Sequence, residues 1–431
     1  MKSVYIETYG CSANQSEYEI LSGLLLEKGF RVVDDVNKSD INIILTCAVK
    51  TPTSNRMAYR IKKLTGLNKP LVVAGCMPEI EYERIKSISH NASLISTNHL
   101  KEIPRMITKI MKGKRIELVG RNKIIKVCLP KIRKNPVVNI TQISSGCRSL
   151  CSYCCVKQAK GDLFSYPPEM ILNDVERSVK DGCKEVWITS QDCGCYGLDI
   201  GSNLAELLGR VVRIKGDFRV RVGMMNTVHV KPILGELIKV YKHPKIYKFI
   251  HVPVQAGSDR VLREMKRGYK AEDFEGIVKE FRKSIPDITL STDVIAGFPG
   301  ERGSDFRETF ELIKSVRPDI VNVSKFGARP GTEAARMKQV DNKIIKERSK
   351  KMARLVRKIT SESNREWVGK ECEILVNERG KRRNQFMGRN ESYKPVIVQS
   401  EKNLMGRFLK VKIIRAGGTY VTGEPLSRNS V

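Results

Sequence analysis

Three cysteines share one short loop, at Cys147-x3-Cys151-x2-Cys154, directly after an apolar, β-branched run at 137–143. The run predicts a β-strand, and the spacing brings the three thiolates onto one face of a tight turn. A [4Fe–4S] cluster takes cysteine ligands, and three of them leave one iron open to bind another molecule. Structural zinc is the alternative, but it favours four ligands in paired knuckles, and no second cysteine or histidine pair lies nearby in the sequence. The loop therefore favours an iron–sulfur site.

Strand and helix patterns alternate from residue 136 to about 326, so the cysteine loop belongs to a larger α/β domain. The predicted strands span 137–143, 185–189, 219–223, 248–252, 289–296 and 320–325, and the helices between them include 168–181 and 203–212. Six βα units predict an open, partial (βα)6 barrel rather than a closed barrel of eight. Loops at the carboxyl ends of such strands carry the chemistry, and the cysteine loop follows the first strand.

Polar, glycine-containing loops follow the later strands of this predicted barrel. Glycines allow close backbone approach to a ligand, and amide and carboxylate side chains can bind the amine, ribose and carboxylate of a nucleoside-bearing cofactor. The candidate cofactor-binding residues are Gln191, Asp192, Gln255, Ser258, Asp293 and Arg329. Each loop alone is a weak signal, and their shared topological position is what favours a common site.

Residues 1 to about 115 predict a smaller α/β domain with a doubly wound parallel sheet. Short β-branched runs at 4–8, 41–46 and 71–74 alternate with helical patterns at 15–28 and 54–64. Cys11, Cys47 and Cys76 stand at the ends of the three strands, and parallel strands share one carboxyl-terminal edge. The three thiolates can therefore converge on a further cluster; the alternative is three separate buried cysteines.

The charge balance indicates a polyanionic partner. The 431 residues include 78 Lys and Arg against 47 Asp and Glu, a net charge of +31. This excess favours RNA or DNA; a solvated surface adapted to unusual cytoplasmic conditions is the alternative. The excess is concentrated in segments such as a connector at 109–135 and a basic helical pattern at 337–370. No apolar run reaches membrane-spanning length, and the twelve cysteines do not form a secreted disulfide pattern, so we predict a cytoplasmic protein without a membrane partner.

The last sixty residues change to a β-rich pattern. Strands predicted at 373–376, 393–398, 407–415 and 419–423 are joined by Gly/Asn turns, which is typical of a small β-barrel of the oligonucleotide-binding kind. Aromatic and basic residues interleave here, a composition that suits stacking on unpaired bases and contact with phosphates. The candidate RNA-binding residues are Arg389, Tyr393 and Lys394.

These stretches, in this order, resemble the radical S-adenosylmethionine methylthiotransferases. The similar stretches are Tyr-Gly-Cys at Cys11, Thr-Cys-Ala-Val at Cys47, Gly-Cys-Met at Cys76, the three-cysteine loop, Ser-Tyr-Pro at 165–167, His-Val-Pro-Val-Gln at 251–255 and Gly-Phe-Pro-Gly-Glu at 297–301. The tail resembles the RNA-binding TRAM domain. The resemblance implies an N-terminal methylthiotransferase domain at 1–115, a basic linker at 116–135, a radical S-adenosylmethionine core at 136–336, a basic helical segment at 337–366 and a TRAM barrel at 367–431.

The resemblance also implies two [4Fe–4S] clusters and S-adenosylmethionine as cofactors. Cys11, Cys47 and Cys76 would ligate the first cluster, and Cys147, Cys151 and Cys154 the second. The second cluster would chelate S-adenosylmethionine and cleave it to a 5′-deoxyadenosyl radical, while another molecule of this cofactor would methylate a sulfur atom held at the first cluster.

Two further stretches, 190–197 and 388–396, resemble the archaeal and eukaryotic branch of the family. That branch adds a methylthio group to C2 of N6-threonylcarbamoyladenosine at position 37 of tRNA. Its eukaryotic members usually carry a hydrophobic tail anchor, and the lack of one here suggests a prokaryotic, archaeal protein. The implied partners are tRNA, an electron donor and a sulfur donor. Lys160 departs from the family pattern, which usually has arginine there.

Three alternatives stay open: a methylthiotransferase acting on another tRNA adenosine, one acting on a ribosomal protein side chain, and a non-catalytic iron–sulfur RNA-binding protein. The oligomeric state and the particular tRNAs are also open. So are the roles of six other cysteines: Cys128, Cys155, Cys183, Cys193, Cys195 and Cys372.

Overall fold

A computed structural model describes residues 1–426 of the chain, and the last five residues of the predicted 367–431 segment lie outside the described part. The N-terminal strands are β1 (Ser3–Thr8), β2 (Arg31–Val33), β3 (Ile41–Thr46), β4 (Leu71–Gly75), β5 (Ser93–Ser96) and β6 (Glu117–Leu118). The helices are α1 (Ser12–Glu27), α2 (Thr51–Thr65), α3 (Met77–Ile80), α4 (Tyr82–Ile88) and α5 (Ile103–Met111). All six strands are parallel, in the order β2-β1-β3-β4-β5-β6, with apolar clusters on both faces of the sheet.

The three predicted N-terminal strands, β1, β3 and β4, are the neighbours in the middle of this sheet. Every residue of β3 and β4 is buried, as expected for inner strands of a parallel sheet covered on both faces. The three strands that the sequence pattern missed, β2, β5 and β6, are only two to four residues long. The doubly wound sheet is therefore confirmed, with twice the predicted number of strands.

The central strands are β7 (Val138–Gln142), β8 (Ser144–Ser145), β9 (Phe164–Ser165), β10 (Glu185–Thr189), β11 (Arg219–Val222), β12 (Phe249–His251), β13 (Thr289–Ala296) and β14 (Ile320–Lys325). The helices are α6 (Val156–Lys160), α7 (Pro168–Lys180), α8 (Leu204–Val211), α9 (Thr227–Val230), α10 (Leu234–Tyr241), α11 (Asp259–Glu264), α12 (Ala271–Ser284), α13 (Gly303–Val316) and α14 (Asn342–Arg365). Two parallel three-stranded sheets, β11-β10-β7 and β12-β13-β14, meet at a bridge between Val220 and Ile246. This arrangement confirms the open six-stranded barrel, because no pairing joins β7 to β14 within the described residues.

The C-terminal strands are β15 (Glu371–Arg379), β16 (Gln385–Asn390), β17 (Pro395–Gln399), β18 (Phe408–Ala416) and β19 (Val421–Pro425). They close into a small barrel in the order β15-β16-β17-β19-β18 around an apolar core. The sequence pattern predicted this barrel but missed β16, whose residues Gln-Phe-Met-Gly-Arg-Asn are too polar to read as a strand. Burial alternates along β16, since only every second side chain faces the core.

The C-terminal barrel covers the amino-terminal end of the central strands. Glu185, the first residue of β10, accepts hydrogen bonds from Asn377 Nδ2 at 2.5 Å and Tyr393 Oη at 3.1 Å. Lys394 Nζ lies 3.0 Å from Asp319 Oδ1, just before β14. The N-terminal domain covers the opposite end, where Ser12 Oγ lies 2.7 Å from Thr189 Oγ1. The interior of the central barrel is therefore enclosed by the two flanking domains.

The basic segments contact the protein differently from one another. In the connector, Lys126 is buried against Glu17 and Lys131 pairs with Asp174, so part of its charge is consumed inside the molecule. Helix α14 buries an apolar stripe that includes Ile345 and directs most of its cations outward. Across residues 1–426, no helix combines the length and the apolar character needed to cross a membrane.

Candidate active site

The predicted cysteine loop lies at the carboxyl end of β7 and β8. Gly146 has φ +77°, and a Cβ there would collide with the carbonyl oxygen of Asp162, so glycine permits the close approach that starts the loop. Cys147 N then donates to Gly161 O at 3.2 Å, and Cys154 N donates to Cys151 O at 3.1 Å. All three thiols are free and partly shielded from solvent. The loop therefore presents three sulfur donors at the end of the barrel where ligands bind.

Arg267 is a residue of this site that the sequence did not reveal. Its guanidinium is 6% exposed, with Nη1 3.2 Å from Cys151 Sγ and Nη2 2.8 Å from Asn226 Oδ1. Asn226 Nδ2 in turn donates to Ser149 Oγ at 3.2 Å, inside the cysteine loop. Arg267 therefore ties the Cys151 side of the loop to the barrel through a chain of polar contacts. Arg267 follows a helix rather than a strand, so topology gave no signal for it.

A second cluster of polar side chains borders Cys147. Ligand atoms of Asp192, Cys195 and His229 lie within 4.8 Å of one another. Asp192 Oδ1 accepts from the backbone of Gly194 at 3.0 Å, and its Oδ2 lies 2.8 Å from His229 Nδ1. The Cys195 thiol forms a hydrogen bond with Cys147, and this hydrogen bond lowers the pKa of Cys147 to about 7. Asp192 thus holds the loop after β10 in place beside the first thiol of the triad.

Apart from Asp192, which is engaged by Gly194 and His229, the predicted cofactor-binding residues divide into two groups. Gln191 is open to a ligand, because its Oε1 is buried without a hydrogen-bond partner in the described part of the chain. Gln255 adopts φ +69° at a bridge to Val294, and its backbone N–H and carbonyl pair with Asp293 O and Ile295 N, so only its side chain is available to a ligand. Cofactor binding by these residues stays a prediction.

The other three candidates are engaged by protein groups. Ser258 Oγ donates to Asp305 at 2.8 Å, and Asp293 lies 3.0 Å from His251 Nε2. Arg329 forms an ion pair with Glu81 of the N-terminal domain. These contacts position the loops and join the domains, so cofactor binding by these three residues stays a prediction that the protein contacts do not support.

The first triad converges at the edge of the N-terminal sheet. Cys47 and Cys76 directly follow the neighbouring strands β3 and β4, and Cys11 begins α1. A Cβ at Gly10 would lie 2.7 Å from Cys47 Cβ and 3.2 Å from its Sγ, which shows how closely the loop before Cys11 approaches Cys47. Burial raises the pKa of Cys76 to about 12, and the neighbouring thiols Cys47 and Cys11 add to this. The grouping of three free thiols fits a cluster site.

Two buried lysines share one carboxylate next to the first triad. Lys126 Nζ and Lys160 Nζ lie 2.6 and 2.7 Å from the same Glu17 oxygen, and these side chains are at most 3% exposed. Burial alone would raise the pKa of Glu17, but the two ammonium groups lower it to about 2. Lys160 also interacts electrostatically with Cys76 and Cys11. The trio therefore carries net positive charge beneath a site that collects thiolates.

A cavity of about 720 Å³ lies between the three domains. Helix α1 and the loop before it, strands β7, β10 and β11, and the C-terminal barrel all contribute to its wall. The lining residues include Tyr9, Gly10, Gln15, Tyr18, Glu19, Trp187, Arg221, Arg389 and Tyr393. Because Gly10 precedes a cysteine of the first triad, the cavity opens beside that triad.

Glu19 on the cavity wall provides a pH-dependent test of the structure. Burial raises its pKa to about 7, and its Oε2 has no partner within residues 1–426. The native state therefore binds the proton more tightly than the unfolded chain, whose carboxyl titrates near its ordinary value of 4.5. We expect the free energy of unfolding to fall by about 3 kcal/mol as the pH rises from 4.5 to 7, and Glu19→Gln to remove this slope. Urea unfolding of the wild type and Glu19→Gln at pH 5 and 7 measures this pH dependence of the free energy of unfolding. The same pH dependence in both proteins would contradict the expectation.

The predicted RNA-binding residues lie at the junction of the barrel and the core. Tyr393 is 9% exposed and packs on Tyr247 and Phe249, with ring centroids 4.8 and 5.2 Å apart. Lys394 is 4% exposed. Arg389 stacks over Tyr393 at 4.9 Å, and both line the cavity. RNA contact by these residues stays a prediction, and a nucleotide would meet Arg389 and Tyr393 from the cavity side.

Comparison with known families matches three segments of the chain. Residues 3–96 match the uncharacterized protein family UPF0004, residues 141–313 the Radical SAM superfamily, and residues 365–426 the TRAM domain. Among solved structures, the radical S-adenosylmethionine methyltransferase TsrM from Kitasatospora setae is similar in fold, with a TM-score of 0.59 at 14% identity over 78% of this chain and 77% of that one. The radical enzyme OxsB gives a TM-score of 0.52 at 14% identity over 83% and 56% of the two chains.

Curated relatives extend the similarity to the whole chain. The probable threonylcarbamoyladenosine tRNA methylthiotransferase of Pyrococcus abyssi is 41% identical over 99% of this chain and 100% of its own length. The Homo sapiens threonylcarbamoyladenosine tRNA methylthiotransferase is 34% identical over 99% of this chain and 74% of its own length. Both alignments span all three domains that build the cavity. This chain therefore belongs to the threonylcarbamoyladenosine tRNA methylthiotransferase family.

Proposed function

We propose that the chain is a radical S-adenosylmethionine enzyme that adds a methylthio group to C2 of N6-threonylcarbamoyladenosine at position 37 of tRNA. The observation that carries this proposal is the placement of two cysteine triads on facing ends of two sheets, with the 720 Å³ cavity opening beside the first triad. Cys155, next to the second triad, lies 3.5 Å from the carbonyl oxygen of Ala48, next to the first. Similarity along the whole chain to proteins of that name supports the substrate.

The cofactors are two [4Fe–4S] clusters and S-adenosylmethionine. The residues that would hold the clusters are Cys11, Cys47 and Cys76 at one site and Cys147, Cys151 and Cys154 at the other. The donor chemistry fits, because each triad offers three free thiols and leaves one coordination position for another ligand. When bound, these groups supply one-electron chemistry and an iron atom open to the cofactor or to sulfur.

The side chains of this protein bind, orient and shield. Arg267 holds positive charge against the Cys151 thiol, and Gln191 presents a free carbonyl oxygen to an amine donor. Trp187 is half-buried on the cavity wall and offers a ring on which a purine can stack. The flanking domains pack against both ends of the barrel and place its interior between them.

Two exposed basic surfaces support tRNA as the partner. One is the outer face of α14, and the other is the turn between β15 and β16. Their cations are Lys343, Lys346, Lys350, Lys351, Arg354 and Arg357 on the helix and Lys381, Arg382 and Arg383 on the turn. Such surfaces attract the phosphate backbone without reading its sequence. The electron donor, the sulfur donor and a cytoplasmic location stay predictions.

Nucleoside mass spectrometry tests the proposal directly. The full-length chain is reconstituted anaerobically with iron and sulfide, then incubated with S-adenosylmethionine, reductant and tRNA that carries threonylcarbamoyladenosine. We expect a methylthio derivative of that nucleoside together with 5′-deoxyadenosine. Matched tRNA with unmodified adenosine at the same position is the control and should give no methylthio product.

The other outcomes identify the alternatives. Methylthio transfer to a different adenosine, or to a ribosomal protein in a parallel reaction, would replace the proposed substrate and keep the chemistry. Absence of both 5′-deoxyadenosine and product from a chain with full iron content would favour the non-catalytic RNA-binding protein.

A further inference from the structure

Arg221 is a cation inside the central barrel whose defined neighbours are aromatic rings. It lies in β11 and lines both the 720 Å³ cavity and an adjoining one of about 270 Å³. Its guanidinium carbon is 5.6 Å from the ring centroid of Trp187, 5.3 Å from that of Phe249 and 5.5 Å from that of Tyr393. Within residues 1–426, no carboxylate lies at ion-pair distance from it. The charge is therefore stabilised by ring faces and left without an anion.

The buried carboxylate on the neighbouring strand is already engaged. Glu185 accepts hydrogen bonds from Trp187 Nε1 at 2.5 Å, Asn377 Nδ2 at 2.5 Å and Tyr393 Oη at 3.1 Å. It thereby orients two of the three rings around Arg221. Glu185 thus builds the aromatic surround and leaves the guanidinium free for an incoming anion.

The other cations of the cavity wall are less suited to this role. Arg389 has an acidic neighbour, with Nη2 4.0 Å from Glu378 Oε2. Lys134 is exposed to solvent, where water screens its charge. Arg221 is half-buried, so an anion that reaches it exchanges water for a guanidinium in a poorly solvated interior.

The position of Arg221 suits a group attached to the far side of a bound base. Arg221 pairs with Trp187 in the sheet register, two residues before Thr189, which contacts Ser12 beside the first triad. At about 3.3 Å per residue, Arg221 lies about 7 Å below the strand ends where the cysteines gather. A purine whose C2 faces those ends directs its N6 substituent further into the barrel.

We propose that Arg221 binds the threonyl carboxylate of the substrate and so selects adenosines that carry an acidic N6 substituent. This inference rests on the proposed function, because it takes threonylcarbamoyladenosine as the nucleoside that enters the cavity. A guanidinium binds a carboxylate through two parallel hydrogen bonds. A nucleoside without the carboxylate would displace water from the half-buried cation and leave it uncompensated, which lowers the affinity for that nucleoside.

The test measures binding with three anticodon stem–loop RNAs and the reconstituted full-length chain. One RNA carries threonylcarbamoyladenosine, the second its carboxamide, in which the carboxylate is neutral, and the third unmodified adenosine. By fluorescence anisotropy we expect the wild-type chain to bind the first about 10- to 100-fold more tightly than the carboxamide. Arg221→Gln should bind these two equally, and Arg221→Lys should keep part of the preference.

Arg219→Gln is the matched control, since Arg219 lies on the same strand but pairs with Asp217 and Glu373 outside the cavity. Arg219→Gln should prefer the threonylcarbamoyladenosine RNA over the carboxamide RNA to the same extent as the wild type. Equal losses of affinity for all three RNAs in Arg221→Gln would assign Arg221 to a backbone phosphate or to folding and overturn the proposal. So would a wild-type chain that binds the acid and the amide alike. Discrimination without methylthio product would instead keep the carboxylate site and overturn the proposed reaction.

Discussion

Cys151→Ala should abolish 5′-deoxyadenosine formation and methylthio transfer together. Even outer partners of a metal site change affinity or activity by 10- to 100-fold, so loss of a direct ligand should lower both rates by at least about 100-fold. Cys11→Ala should behave differently, because Cys11 belongs to the triad of the other sheet. It should abolish the methylthio product while 5′-deoxyadenosine still forms. Iron content, 5′-deoxyadenosine and methylthio nucleoside, measured on the same anaerobic samples, check all three expectations.

Cys183→Ala is the control for the cysteine variants. Cys183 lies far from both triads: it is buried, and its Sγ donates to Pro136 O at 3.4 Å, at the amino-terminal side of the barrel. It should retain full iron content and both activities. Cofactor cleavage that survives in Cys151→Ala at full iron content would show that the loop does not hold the cluster that binds S-adenosylmethionine.

Glu17→Gln should destabilise the protein by about 3–5 kcal/mol, because it leaves two buried ammonium groups without their shared carboxylate. The effect should reach both domains, since Lys160 belongs to the core and Glu17 to α1 of the N-terminal sheet. In the wild type, the pKa of Glu17 is about 2 in the native state against an ordinary 4.5. Its stabilisation is therefore complete above pH 4.5 and is lost as the pH falls towards 2, whereas the variant should lack this acid-sensitive part.

Urea unfolding of the full-length chain measures the effect of Glu17→Gln. Glu27→Gln, at the exposed end of the same helix, should stay within about 0.5 kcal/mol of the wild type. A second change, Lys126→Met, should restore part of the lost stability by removing one of the two stranded charges. Unchanged stability in Glu17→Gln would contradict a stabilising role for the two buried ion pairs.

The sequence predicted those parts of the fold that local pattern determines. Ile41–Thr46 and Thr289–Ala296 were predicted with their observed bounds, because both are rich in apolar and β-branched residues. The strand ends that carry the cysteines followed from topology, since parallel strands share an edge. Short strands such as Ser93–Ser96 were missed because four residues show too little periodicity.

The charged and polar contacts around the two triads could not be predicted from local sequence patterns. Arg267 and Cys151 are separated by 116 residues, and Glu17 and Lys160 by 143. Nothing in either neighbourhood signals the pairing, which depends on how whole domains dock. Tyr393 is a second example in which local sequence did not reveal the tertiary contacts. Its basic, aromatic surroundings suggest an RNA surface, yet tertiary packing turns it towards the core.

The hydrogen bonds from Asn377 and Tyr393 to Glu185 have a consequence for how such a protein can evolve. The C-terminal barrel supplies part of the wall of the 720 Å³ cavity and also carries basic residues on its outer surface. Exchanging that barrel for another RNA-binding module would therefore open the 720 Å³ cavity on one side and leave Glu185 with only its partners from the core, such as Trp187. The C-terminal barrel and the central domain must therefore change together in evolution. Substrate choice depends on both domains and cannot be altered by exchanging the barrel alone.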